Sequence, residues 1–480
     1  MEIQGRILKK SLAFYILEHL FHVGSMKRLD VSFLYSSMRT ADVVRRKLRH
    51  LEDSGFIDVT NEDVIDARRI FLTSKGEKVL YESSEYYNTY KQYKVRAKNP
   101  FPEKENKEIE VITLMAASSI RCYPKEKPQL LDLIKILTTM AVDPKKKSGR
   151  YWYPKDLEEF ADRFGDGIYY SPKELRYALK KEIGAEQTYR SRFNGILVLP
   201  DRIYVIYHIG DGLIKFITPS EVTLLDSIIS LFGEYPIYRS PNTPSAIAIG
   251  NVSMEIGISQ LVMGFKKGKI ENKESLENIA AQEAMGFFKA NCPLFPEIFY
   301  IPYAREGIFY LKELITTTTE SREQEAKEWF HRRKGYIYME GLMETGICSE
   351  ENCKVEYLLY PETKKILMLR NALYPARIIT SNYLAVAISK SVGPKAYDFV
   401  DLMNIPMTVP RYDIYGYKID DVVFERTEEK KETTTINVNS RININLYKMI
   451  ETDAKENLKS VSKTVRDILA KYYSGKWDDT

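Results

Sequence analysis

Cysteine is scarce in this chain, and its apolar runs are short. Four Cys stand among 480 residues, at Cys122, Cys292, Cys348 and Cys353. Only Cys348 and Cys353 are close in sequence, with no second pair and no His pair beside them, so no zinc site is expected. Cysteines used this way suit a reducing, cytoplasmic setting. No stretch of about 18 apolar residues occurs, so no membrane span is expected. The opening MEIQGRILKKS lacks the apolar core of a signal peptide. Excess charge is small too: 71 Lys+Arg against 66 Asp+Glu leave +5. The chain is no polycation, so a nucleic-acid partner would have to be met by a local basic face.

The familiar catalytic motifs are missing as well. The five His are His19, His22, His50, His208 and His331, and none forms a His-hydrophobe-His metal pair. No G-x-x-x-x-G-K-[ST] phosphate loop is present. Gly264 to Gly268-Lys269 comes nearest, but Ile270 follows where the loop needs a hydroxyl. Neither G-x-G-x-x-G nor G-x-S-x-G occurs. His331 has no Arg three places on, which removes the H-x-x-R pair of tyrosine recombinases. The basic run His331-Arg332-Arg333-Lys334, with Arg322 and Lys327, reads as a solvated helix end, where cations complement the dipole.

One fragment, 193–216, sets Pro200-Asp201 before an apolar strand, as a restriction-endonuclease-like metal site begins. Such a site needs carboxylates to hold its metal. The strand that follows, Ile203-Tyr204-Val205-Ile206-Tyr207-His208, offers neither acid nor Lys, and Asp211 and Lys215 lie four apart. Pro-Asp therefore reads as a hairpin turn between buried strands. No catalytic residue, metal or cofactor is expected. A metal-dependent DNA endonuclease with a degenerate core of this kind stays open as an alternative, as does a ligand-sensing regulator.

What is present is organised in segments. A chain of 480 residues with 44% apolar content is long enough for about three domains. Residues 96–108 (RAKNPFPEKENKE) and 425–435 (ERTEEKKETTT) are charged and aperiodic, and read as linkers. Helical patterns sit at 110–119, 128–141, 155–164, 172–182, 219–232, 273–290 and 320–332. Apolar β-rich runs sit at 196–199, 202–208, 245–250, 297–303, 307–311, 335–339, 355–360 and 365–370. Interleaved helices and strands predict an α/β or α+β middle, split near the Pro-rich 233–243 into 109–232 and 244–424. The 34 Tyr mostly alternate with Ile and Val, as core and sheet residues do.

The amino-terminal 1–95 has its own pattern. Leu8, Leu12, Tyr15, Ile16, Leu20 and Val23 follow helical spacing over 7–23, and a short helix is predicted over 29–38. Thr40 is placed to cap a helix over 41–52. Val43, Val44, Leu48 and Leu51 share one face, and Arg45, Arg46 and Arg49 lie off it. Gly55 ends the helix. Phe56 to Val59 reads as a strand, followed by a polar turn and RRIFLTSKGEKVL. This order resembles a winged helix-turn-helix domain. The resemblance implies that 41–52 is a recognition helix, with Thr40, Arg45, Arg46 and Arg49 on DNA. Arg68 and Arg69 would offset Glu62, Asp63 and Asp66 near the wing tip. Use of the same module for protein contact stays open.

The carboxyl end carries the strongest pattern. Residues 436–446, INVNSRININL, alternate strictly. Ile442, Ile444 and Leu446 share one face, and Arg441, Asn443 and Asn445 the other. Helical patterns follow at 447–457 and 461–473, joined by Leu458-Lys459-Ser460. A unit of about forty residues cannot bury its own apolar face, so dimerisation is expected. Residues 440–473 resemble the ribbon-helix-helix (MetJ/Arc/CopG) family over roughly a tenth of the chain. The resemblance implies that paired strands enter a major groove, where Arg441 suits guanine and Asn443 and Asn445 suit adenine. Ser460, Val461 and Ser462 would open the second helix on a phosphate, with Lys463 and Arg466 just inside it. Ala454, Val465, Ile468 and Leu469 would be core.

The sequence thus predicts a multidomain α+β protein: an N-terminal winged helix, a mixed α/β middle and a C-terminal ribbon-helix-helix over 436–480. Its expected partner is double-stranded DNA, met as a cytoplasmic homodimer formed through the C-terminal unit. The layout is similar to mobile-element replication and relaxation proteins. That similarity implies an accessory or autoregulatory role in a plasmid or conjugative element, with a relaxase or replication protein as a further partner.

Overall fold

A computed structural model describes residues 11–35, 41–60, 68–83, 103–123, 126–141, 167–184, 191–199, 202–210, 215–232, 244–263, 276–317, 319–339, 344–350, 353–371 and 377–380, with a few isolated positions besides. The chain divides into two compact units, Met1–Asp421 and Val422–Thr480. The second unit, with the expected linker 425–435 and the whole ribbon-helix-helix segment, lies outside the described residues. The first is mixed α/β.

The first unit opens with α1 (Leu12–Val23), β1 (Ser25–Lys27), α2 (Arg28–Leu34), α3 (Ala41–Asp53), β2 (Ile57–Val59), β3 (Arg69–Leu72) and α4 (Ser74–Ser83). Ser11 caps α1 by accepting from Phe14 N at 3.3 Å, and Gly24 closes it at φ 81°. Gly55 ends α3 at φ 69°. The strands pair antiparallel in the order β1-β3-β2, with Met26 opposite Ile70 and Ile70 opposite Val59. Ile16, Leu17, Leu20, Val44, Leu48, Leu51 and Ile70 form the core between the helices and this sheet.

A larger sheet follows. It is built from β4 (Ile168–Tyr170), β5 (Ile196–Val198), β6 (Ile203–Ile209), β7 (Ser245–Gly250) and β8 (Ile298–Pro302), in that order. β4, β5 and β6 are antiparallel neighbours, whereas β6-β7 and β7-β8 are parallel. Leu199 N donates to Arg202 O at 2.9 Å across the β5–β6 hairpin. Pro200 and Asp201, between those two residues, lie outside the described residues. Every residue of β6, β7 and β8 is buried, as parallel strands covered on both faces must be. Their crossovers are α8 (Thr218–Leu231), then α9 (Met254–Met263) and α10 (Leu276–Asn291). Ahead of the sheet stand α5 (Glu103–Ala117) and α6 (Leu130–Ala141), and α7 (Pro172–Ile183) joins β4 to β5. The Ser-Pro-Lys-Glu sequence opening α7 forms a capping box, Ser171 with Glu174, with Pro172 at the first turn.

A smaller module follows: α11 (Arg305–Thr316), α12 (Thr319–His331), β9 (Tyr336–Tyr338), β10 (Thr345–Cys348), β11 (Cys353–Tyr357), α13 (Thr363–Asn371) and β12 (Arg377–Ile379), and beyond it β13 (Arg411–Tyr412) pairs antiparallel with β14 (Lys418–Ile419). Its sheet runs β12-β11-β10-β9, with only β11-β12 parallel. The sheet lies so close to α12 that a Cβ on Gly346 would sit 2.2 Å from Phe330.

Several expectations change here. The division into 109–232 and 244–424 does not hold, because β7 extends the same sheet as β6: Tyr204 to Ile209 pair in parallel with Ser245 to Gly250. The run 307–311 is not a strand but part of α11, whose buried Ile308, Tyr310, Leu311, Leu314 and Ile315 follow helical spacing. The run 365–370 likewise lies in α13, with Ile366, Leu367 and Leu369 inside. Residues 103–108, expected in a linker, begin α5. The Tyr expectation holds: Tyr169, Tyr170, Tyr204, Tyr207, Tyr300 and Tyr357 are among the largest fully buried side chains.

Candidate nucleic-acid interface and the polar junction behind it

Helix α3 is divided by its own sequence. Val44, Leu48 and Leu51 are buried, and Asp42, Arg45, Arg46 and Arg49 are exposed. Arg45 Nη2 lies 3.4 Å from Asp42 Oδ1, with both side chains mostly in solvent. An exposed pair of this kind is worth under about 1 kcal/mol, so it does not commit Arg45. Arg46 Nε donates to Asp42 O at 3.4 Å. The result is a helix face with three Arg displayed to solvent.

The other basic residues expected at this interface stand differently. Arg69 Nε donates to Ser25 Oγ at 2.9 Å and its Nη2 to Ser25 O at 3.3 Å, so its guanidinium ties β3 to β1. Arg68 is half-buried, and its carbonyl accepts from Arg28 N at 3.1 Å. Thr40, Glu62, Asp63 and Asp66 lie outside the described residues. So do Arg441, Asn443, Asn445, Ser460, Ser462, Lys463 and Arg466.

Behind α3 the N-terminal module meets the large sheet through a buried polar junction. Lys27 Nζ of β1 lies 3.0 Å from Glu110 Oε1 of α5, and Glu110 Oε2 lies 2.7 Å from His208 Nε2 at the end of β6. Burial opposes ionisation of Glu110, but His208 and Lys27 outweigh it and hold its carboxyl down at about 2. Asp30 of α2 is in the opposite state. Burial, with Glu110 nearby, pushes it up to about 7. His19 of α1 bonds Tyr123 OH through Nδ1 and lies 3.3 Å from Thr113 Oγ1 through Nε2. Burial alone lowers its pKa to about 3. Next to these, Lys107 Nζ lies 2.8 Å from Glu283 Oε1 and 3.2 Å from His208 O. Glu283 Oε2 accepts from Gly210 N at 3.1 Å.

A second network joins the large sheet to the small module. Arg322 of α12 reaches Glu297 at 3.1 Å and Glu344 at 3.7 Å. Lys365 of α13 also pairs with Glu344. Burial opposes the charge on Glu344, but Lys365 and Arg322 hold its carboxyl below its ordinary range. Glu344 keeps a left-handed φ of 57°, a backbone cost that these two ion pairs help offset. Glu356 accepts from Thr345 Oγ1 at 2.9 Å, and Lys354 lies 2.5 Å away. Arg202 Nη2 donates to Leu314 O at 2.6 Å and to Thr317 O. The expectation that Arg322 belongs to a solvated helix end is thus corrected: it is buried, facing Glu297 just ahead of β8 and Glu344 just ahead of β10. Among the described residues, no group of three or more His, Cys, Asp and Glu is arranged to hold a metal ion. Nor is any described helix long and apolar enough to cross a membrane.

Sequence reasoning found the Arg face of α3 and missed both networks. Lys107 and Glu110 stand in a charge-rich stretch, Glu344 has only Glu340 as a charged near neighbour, and nothing local marks any of them as buried.

Comparison with protein-family models, with curated proteins and with solved structures returns no match.

Proposed function

We propose that this chain is a sequence-specific binder of double-stranded DNA, with a DNA-reading module at each end. The observation that carries this reading is α3, whose inner face is core and whose outer face displays Arg45, Arg46 and Arg49. Clustered cations on a groove-sized helix provide sequence-independent affinity through counterion release. The strand order β1-β3-β2 around α3 supports a winged helix as the module that presents them. The second reader is the C-terminal ribbon-helix-helix, which pairs two chains and reads bases with Arg441, Asn443 and Asn445. Two modules on one chain raise affinity by avidity where the linker spans both sites. The likeness of the layout to mobile-element replication and relaxation proteins supports a role at the element's own origin. The element's relaxase or replication protein would be the partner there.

Footprinting on DNA from the protein's own locus, at near-physiological salt, tests the reading. A protected palindrome with salt-sensitive flanks is the expected result. Uniform weak protection of every fragment would contradict sequence-specific binding.

A further inference from the structure

The β10–β11 hairpin sets Cys348 directly opposite Cys353. Tyr357 N donates to Glu344 O at 2.8 Å, which identifies that opposed pair as a hydrogen-bonded one. Counting by alternation along the ladder, Cys348 and Cys353 form another such pair. Opposed residues of this kind hold their Cα atoms about 5.5 Å apart, inside the span of roughly 4.4–6.8 Å that a disulfide bridges, with Cβ atoms toward the wide end of the roughly 4.5–5.5 Å found across strands, so closing the bond has to draw the two strand ends together. Their side chains share a face, and that face packs on Trp329 and Phe330 of α12. Cys353 is half-buried and Cys348 buried, so one sulfur can be reached first and the other stands behind it. Arg377 Nη1 lies 3.7 Å from Cys348 Sγ.

From this juxtaposition we propose that Cys348 and Cys353 are a dithiol pair that closes reversibly to a cross-strand disulfide on meeting a low-molecular-weight disulfide. The Cys353 thiolate attacks one sulfur of the small disulfide. That S–S bond breaks, and the first small thiolate leaves. The Cys348 thiolate then attacks the Cys353 sulfur, forms the Cys348–Cys353 bond and expels the second small thiolate. Both protons from the cysteines end on the two departing thiols. The protein loses two electrons, and the small disulfide gains them. The bridge pins the start of β11 to the end of β10, in the sheet that also carries Glu356.

The test is oxidation of the full-length native protein with oxidised glutathione, followed by alkylation and peptide mapping by mass spectrometry. The expected product joins Cys348 to Cys353 within one chain, leaves Cys122 and Cys292 alkylatable, and returns to thiols with dithiothreitol. In Cys348→Ser, Cys353 should stop at a stable glutathione adduct, because the resolving sulfur is gone. In Cys353→Ser, Cys348 should stay reduced. Three results would overturn the proposal: a persistent glutathione adduct on Cys353 of the wild type, a bridge that uses Cys292 or a second chain, or both thiols still reduced while Cys353 reacts freely with the alkylating agent. Circular dichroism of the two Ser variants checks that they keep the fold.

Discussion

Lys107 and Glu283 stand 176 residues apart in sequence and 2.8 Å apart in the folded chain, with both side chains buried. The pair fixes α5 against α10 and the end of β6. Attraction between two buried charges roughly offsets their desolvation, but removing one partner strands the other. Lys107→Ala should therefore cost about 3–5 kcal/mol, read as a lower midpoint in urea unfolding. Lys107→Met/Glu283→Leu should cost clearly less than the single change. If the single change were as mild as the double, the pair would not be holding this junction.

The junction also sets how stability responds to pH, through two groups that act in opposite directions. His19 has a folded pKa of about 3, below its ordinary 6.5. Its contribution is complete above pH 6.5 and is lost as pH falls toward 3, because the unfolded chain takes up the proton first. Asp30 has a folded pKa of about 7, above its ordinary 3.8. Its neutral form is favoured in the fold, so stability falls as pH rises from 3.8 to 7. A shift of that size is worth up to about 4 kcal/mol, at about 1.4 kcal/mol per pH unit. Asp30→Asn should therefore stabilise the protein at pH 8 and do little at pH 4, whereas His19→Gln should flatten the acid limb. Thermal melts of both variants across this range decide it; equal effects at pH 4 and pH 8 would contradict the assignment.

The face of α3 makes a separate prediction. Arg45→Ala/Arg46→Ala/Arg49→Ala removes three cations and leaves the core untouched. The slope of log affinity against log salt should shrink by about 0.9 for each phosphate no longer neutralised, or roughly 3 in all. Unfolding stability should stay within about 0.5 kcal/mol of wild type. An unchanged salt slope would move this module from DNA to protein binding.

Legibility in the sequence followed the range of the interactions involved. The 172–182 helix was readable because Ser171, Pro172, Glu174 and Gly184 write both of its ends locally. The strands at 203–209 and 245–250 were readable as unbroken apolar runs, but their parallel pairing was not, and a Pro-rich crossover looked like a domain boundary. At 307–311 the β-branched and aromatic content of Ile308, Phe309 and Tyr310 outweighed the wider helical period that ends at Ile315. The Arg face of α3 could be read because amphipathicity is local. Lys107 could not, since its burial depends on Glu283, which lies on a distant helix. The same holds for Arg322, which pairs with Glu297 and Glu344, 25 and 22 residues away in sequence.

The most direct test of DNA reading by the carboxyl-terminal segment is a footprint of wild type beside Arg441→Ala/Asn443→Ala/Asn445→Ala, on DNA from the protein's own locus. The expected result is a palindromic footprint that the triple change abolishes, leaving weak, salt-sensitive binding from the amino-terminal module. Removing each base-reading side chain should cost about 1–3 kcal/mol. An unchanged palindromic footprint would contradict it and assign sequence reading to α3 and its neighbours.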